Sequence, residues 1–138
     1  MFFSLDELQN NFNGNDLRSF NAARAFPCLL KIKEKKTIAH LYPKNLVNND
    51  VSSFIVFTDD MIYEIKEVNK SVSVDTYLIG DLINFKINEV GNGETIAHLN
   101  FSDERGINLI SDRDSNSYYQ FDYSEKIKEI FHWLLTNS

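Results

Sequence analysis

A chain of 138 residues, 43% hydrophobic with 11 Phe and 6 Tyr, is long enough to bury one core without disulfide or metal staples. Its single cysteine, Cys28, excludes an intrachain disulfide, and its 5 Gly and 2 Pro argue against disorder and long linkers. The formal net charge of -6 disfavours nucleic acid as a partner, because nonspecific binding of phosphate backbones needs a dense positive surface.

The N-terminal residues lack the basic start and long apolar stretch of a secretory signal, and no apolar run approaches 18 residues. A cytoplasmic location without a transmembrane segment is the expectation. Ser4-Leu5-Asp6-Glu7 has the spacing of a capping box and predicts one or two helical turns. Asn15 or Asp16 can cap a second helix carrying Leu17, Phe20 and Ala23 on one stripe. Pro27 is expected to end or kink it. Residues 1–28 therefore read as a helical N-terminal extension, and residues 29–138 as one continuous globular unit. Leu29, Leu30 and Ile32 fit either a helical or an extended segment.

Beyond this point the apolar period becomes two. Thr37 to Tyr42 alternates until Pro43-Lys44-Asn45 breaks the pattern. Val51 to Thr58 is rich in β-branched and aromatic residues, and Asp59-Asp60 is a two-residue turn in which Asp tolerates a left-handed backbone. Met61 to Glu67 returns, with Glu64 and Glu67 read as solvated positions. Val72 and Val74 alternate with serines, and an apolar cluster, Tyr77-Leu78-Ile79, precedes Gly80-Asp81. Leu82 to Val90 and Glu94 to Phe101 flank Asn92-Gly93, a type I′ hairpin signal. Gly106 to Ile110 is a short strand, Ser111 to Asn116 a polar surface turn, and Tyr118, Tyr119 and Phe121 an added extended piece. Asp122 with Glu125 offers a second capping box. Ile127, Ile130, Phe131, Leu134 and Leu135 then recur at three- and four-residue spacing, predicting an amphipathic helix of about three turns.

The order of elements is α+β and mainly β: about seven strands with short connections, hence antiparallel neighbours, closed by a C-terminal helix. It resembles bacterial pleckstrin-homology-like (PH-like) domains. The residues that carry the resemblance are Leu30-Lys31-Ile32-Lys33-Glu34 before the first strand and Phe54 to Tyr63, with its Thr58 and two-residue turn. Leu78-Ile79-Gly80-Asp81-Leu82-Ile83 looks like the start of the family's second sheet, and Ile127 to Leu135 like its capping helix. The resemblance covers residues 29 to 136. It implies a curled antiparallel sheet capped by the terminal helix, a binding role without cofactor, and a small accessory or phage-associated protein of Gram-positive bacteria. Asp59-Asp60 stands where many members carry Lys or Arg. Asn45, Asn48, Asn49 and Asp50 stand where phosphoinositide-binding members place basic residues.

No segment has the pattern of a catalytic or metal motif. His40, His98 and His132 contain no His-x-x-x-His spacing, although His40 and His98 both lie beside isoleucines. Cys28 lacks a Cys-x-x-Cys partner and reads as a buried structural residue. Asp112, Asp114 and Asn116 open like a calcium loop, but Ser117 and Tyr123 occupy the positions that need Gly and Glu. A noncatalytic protein-binding or adaptor module is the leading expectation, with Phe2, Phe3, Tyr118 and Tyr119 as contact residues. The alternative is peripheral attachment to an anionic membrane or polyanion through Arg24, Lys31, Lys33, Lys35 and Lys36. These belong to a stretch, Arg18 to Lys44, that holds seven basic residues and one acidic one. A small enzyme is the third reading, and self-association is open.

Overall fold

The computed structural model describes residues 3–8, 25–45, 52–68 and 71–137. The chain forms two compact units, Met1–Thr76 and Tyr77–Ser138. The fold is mixed α+β, with two antiparallel sheets of four and three strands.

The first unit opens with a helical turn over residues 5–8. The Ser4 hydroxyl accepts the Glu7 amide at 3.2 Å and donates to the Glu7 carboxylate at 3.0 Å, so the expected capping residues do meet. The second predicted helix, from Asn15 to Ala23, lies outside the described residues. Helix α1 is Phe26–Lys35, and it settles Leu29, Leu30 and Ile32 as helical. Pro27 stands at the start of this helix. In the first turn its missing N–H has no intrahelical acceptor to lose.

Four strands follow: β1 His40–Lys44, β2 Ser52–Phe57, β3 Met61–Val68 and β4 Ser71–Leu78, in the order β1-β2-β3-β4. Pro43 does not break β1. It sits inside the strand opposite Phe54, because an edge strand can spare one N–H. The chain turns two residues later than expected, at Asn45, whose φ is 61°. In β2, Phe54, Ile55, Val56 and Phe57 are all fully buried, as fits a strand paired on both sides. Each such side chain stabilises the fold by about 1.5–3 kcal/mol. Asp59 and Asp60 form the hairpin turn without a left-handed residue. Instead the Thr58 hydroxyl accepts the Met61 amide at 3.1 Å, and the Thr58 amide donates to the Met61 carbonyl at 2.9 Å. Glu64 and Glu67 are 9% and 7% exposed, so they are not the solvated positions the alternation suggested.

The second unit contains a 3₁₀ turn, Ile79–Asp81, then β5 Leu82–Glu89, β6 Thr95–Phe101 and β7 Gly106–Ile110, in the order β5-β6-β7. The β5–β6 loop differs from the two-residue expectation. Gly91, Asn92 and Gly93 all lie in it, the Gly93 amide donates to the Val90 carbonyl at 2.9 Å, and only Gly93 is left-handed, at φ 92°. The Asn92 side chain accepts the Glu94 amide at 3.1 Å. Ala97, Leu99 and Phe101 are buried along one face of β6, as their alternation predicts.

Ser111 to Asn116 is not a surface turn. Ser111–Asp114 is a short helix, α2, and Ser111, Asp114 and Ser115 are buried. Asp114 accepts the Ile110 amide at 2.7 Å, Ser111 accepts the Thr95 amide at 2.9 Å, and the Thr95 and Ser124 hydroxyls bond to each other. Helix α3, Gln120–Asn137, is longer than three turns and includes Phe121, which was expected in a strand. It packs on β5 and β6 through Tyr123, Ile127, Ile130 and Leu134. Leu135 belongs to the predicted stripe but is 55% exposed. The Phe131 ring meets Phe85 edge-on at 5.2 Å, and Lys128 pairs with Glu89 at 2.6 Å.

Candidate binding surface

Asn116 lies between α2 and α3. Its side-chain oxygen accepts the amides of Tyr118 and Tyr119 at 3.0 and 3.2 Å, and its carbonyl also accepts Tyr119 at 3.0 Å. Asparagine favours such turns because its side chain imitates a backbone acceptor. The Tyr123 amide then donates to the Tyr119 carbonyl at 3.0 Å, and the helix continues. Asp122 and Glu125 therefore lie inside α3, and Asn116 does the work expected of a second capping box.

This pinned turn holds Tyr118 in solvent at 81% exposure, and Phe121, three residues on, at 73%. The Tyr118 ring rests edge-on against Tyr119 at 4.8 Å. Phe121 and Glu125, four residues apart, share the helix face opposite Tyr123 and Ile127. Carboxylates flank the aromatics, with Glu125 exposed and Asp122 half-buried. Behind them Tyr123 is fully buried. Burial, then Asp114 and Tyr119, push its phenol well above the ordinary value and keep it neutral. The arrangement offers two large apolar rings on a fixed backbone, with negative charge at one side.

The other anticipated residues fall elsewhere. Phe2 and Arg24 lie outside the described residues. Phe3 is half-buried and lines an open groove of about 670 Å³ with Ser4, Asp6, Lys33, Lys36 and His40. Lys31, Lys35, Lys36 and Tyr63 line a second groove of about 450 Å³. Lys31, Lys33 and Lys35 are exposed, but α1 does not gather them on one side. Lys31 and Lys35 share a face, and Lys33, two residues from each, is across the helix. Lys36 is engaged by both Asp60 oxygens, at 2.8 and 2.9 Å, and chiefly this bond raises its pKa.

His40 and His98 stand in different sheets, β1 and β6, and do not share a face. His98 Nδ1 pairs with Asn108 Oδ1 at 2.5 Å. Cys28 is half-buried, not buried, in the first turn of α1. Among the described residues, no group of three or more His, Cys, Asp or Glu could hold a metal ion. Nor is any described helix long and apolar enough to cross a membrane. The chain matches no family model, and no curated protein matches it.

Sequence reasoning missed Phe121. An aromatic two residues after a Tyr-Tyr pair looked like a strand, and the helical period of Tyr123, Ile127, Ile130 and Leu134 was the signal that could have placed it on the outer face.

Proposed function

We propose that this chain is a noncatalytic protein-binding module of PH-like type, which takes a partner segment on the surface formed by Tyr118 and Phe121. The observation that carries the reading is the exposure of two large aromatic side chains, Tyr118 at 81% on a turn bonded to Asn116 and Phe121 at 73% in the first turn of α3. Tyrosine and phenylalanine bury much area on contact for few rotatable bonds, so a rigid exposed pair loses little entropy on binding. Asp122 and Glu125 beside them suit a partner segment that combines an apolar anchor with basic residues. The PH-like part of the reading is supported by the sheets of four and three antiparallel strands and the following helix.

Selection of a random peptide library on the purified chain tests this reading. The expected result is enrichment of peptides with an aromatic or aliphatic anchor next to Lys or Arg. Their affinity should fall at least about tenfold in a Tyr118→Ala/Phe121→Ala variant with an unchanged circular dichroism spectrum. Peptides that bind the variant as well as the wild type, or a selection that enriches nothing, would count against it.

A further inference from the structure

The two edges of the four-stranded sheet differ. At one edge β1 carries Pro43, which has no N–H to offer, and leaves the sheet through the left-handed Asn45. Both features blunt an edge against pairing with another chain. At the other edge β4 runs for eight residues without proline, and its only charge is Asp75, which lies 3.9 Å from Lys66 on β3. Residues 71 to 76 are exposed or half-buried throughout, with Val74 at 44%. Serine and β-branched valine alternate along it, which suits a pleated strand.

Ser71-Val72-Ser73-Val74-Asp75 reads almost the same from either end. That matters for pairing with an identical strand. Around a two-fold axis perpendicular to a sheet, antiparallel partners must lie on the same face, so the register centres on a residue. Centred on Ser73, Val72 lies opposite Val74 of the second copy on one face. On the other face Ser73 meets itself, and Ser71 meets Asp75. The pairs are β-branched with β-branched and hydroxyl with carboxylate or hydroxyl, the combinations that stabilise cross-strand contacts. A register centred on Asp75 would oppose two carboxylates.

We propose that β4 is a self-association edge, at which a second copy of this chain adds antiparallel to β4, centred on Ser73, and joins two four-stranded sheets. The strand contains neither Tyr118 nor Phe121, and the two proposals stand or fall independently. Strand pairing over five residues buries little area, so the dimer is weak and concentration-dependent. The net charge of -6 on each copy opposes it, so added salt favours it.

Sedimentation equilibrium from about 10 μM to about 1 mM, a range suited to a small interface, reads the association. The register is read by paired variants. Val72→Lys/Val74→Lys places like charges opposite each other and abolishes the dimer. Val72→Glu/Val74→Lys places opposite charges there and retains it. Ser73→Cys forms a disulfide-linked dimer under mild oxidation, because directly opposed strand residues fall within disulfide reach. The wild type, which has Cys28, forms none under the same conditions. A wild type that stays monomeric at every concentration overturns the proposal. So does a dimer that treats the two double variants alike, or a Ser73→Cys variant that cross-links no more than the wild type.

Discussion

Glu67 on β3 accepts the backbone N–H of Ala25 at 2.9 Å, across 42 residues of chain. Ala25 is the N-cap of α1, and its own side chain offers that helix no acceptor. The carboxylate therefore stands where a helix start favours negative charge, and both residues are buried. Glu67→Ala is expected to lower stability by about 1–3 kcal/mol, the cost of leaving a buried donor unmet. Glu67→Gln keeps an acceptor and should lose less. Urea denaturation midpoints check both, and equal midpoints for Glu67→Ala and wild type would show that the tie contributes nothing.

Lys36 and Asp60 join the end of α1 to the β2–β3 turn, and the pair predicts a pH signature. The Lys36 bond is the main cause that holds the Asp60 carboxyl below its ordinary 3.8. The same bond raises the Lys36 ammonium above 10.5. The Asp60 contribution is complete above pH 3.8 and is lost as pH falls through the lowered value. The Lys36 contribution is complete below pH 10.5 and is lost as pH rises through the raised value. Asp60→Asn removes the charge pair, so its melting temperature should lie slightly below wild type on the plateau between these limits. The gap should close at both extremes. Asp60 is exposed and Lys36 only half-buried, so the gap is small and shrinks with salt. A gap that is constant from acid to alkaline pH would contradict the assignment.

In the second unit, the bonded hydroxyls of Thr95 and Ser124 link β6 to α3, and the Ser111 hydroxyl accepts the Thr95 amide. Thr95 and Ser111 are fully buried, and Ser124 is 5% exposed. Ser124→Ala leaves the Thr95 hydroxyl without its partner, at an expected cost of about 1–3 kcal/mol. Thr95→Val/Ser124→Ala removes both hydroxyls and should cost less than the two single losses added together. Additive single and double variants in denaturant titrations would mean that the hydroxyls do not act as a pair.

These contacts show why some of the molecule was legible from sequence and some was not. β7 was read with its observed bounds, Gly106–Ile110, and the buried face of β6 followed from strict alternation of Ala97, Leu99 and Phe101. Period-two patterning reports one buried face, and there it succeeded. It failed at Glu64, Glu67, Ser111 and Asp114, because polarity was taken as exposure. Each of these residues is on an element or turn where hydrogen bonding or an ion pair offsets burial, and for Glu67 and Ser111 the partner lies 42 and 16 residues away in sequence. Pro43 misled for a related reason. A proline removes a ladder hydrogen bond inside a strand paired on both sides, but β1 is an edge strand, which can spare one N–H. The exposed aromatics were half legible. Tyr118 was named, but the turn that presents it depends on Asn116, which reads from sequence as one more polar residue.

Asn116 joins the stability of α3 to the presentation of Tyr118. Asn116→Ala removes the side-chain acceptor of the Tyr118 and Tyr119 amides and leaves Tyr119 its bond to the Asn116 carbonyl, and a lost cap of this kind costs about 0.5–2 kcal/mol. Asn116→Asp keeps the oxygen and adds negative charge near the start of α3, so it should retain most of the stability. The two variants therefore separate a specific hydrogen bond from mere polarity. Amide hydrogen exchange at Tyr118 should accelerate in Asn116→Ala and change little in Asn116→Asp, even where both variants remain folded. If exchange at that amide is the same in wild type and Asn116→Ala, the backbone beneath Tyr118 is not held by the Asn116 side chain. The entropic advantage argued for a rigid Tyr118 would then be lost.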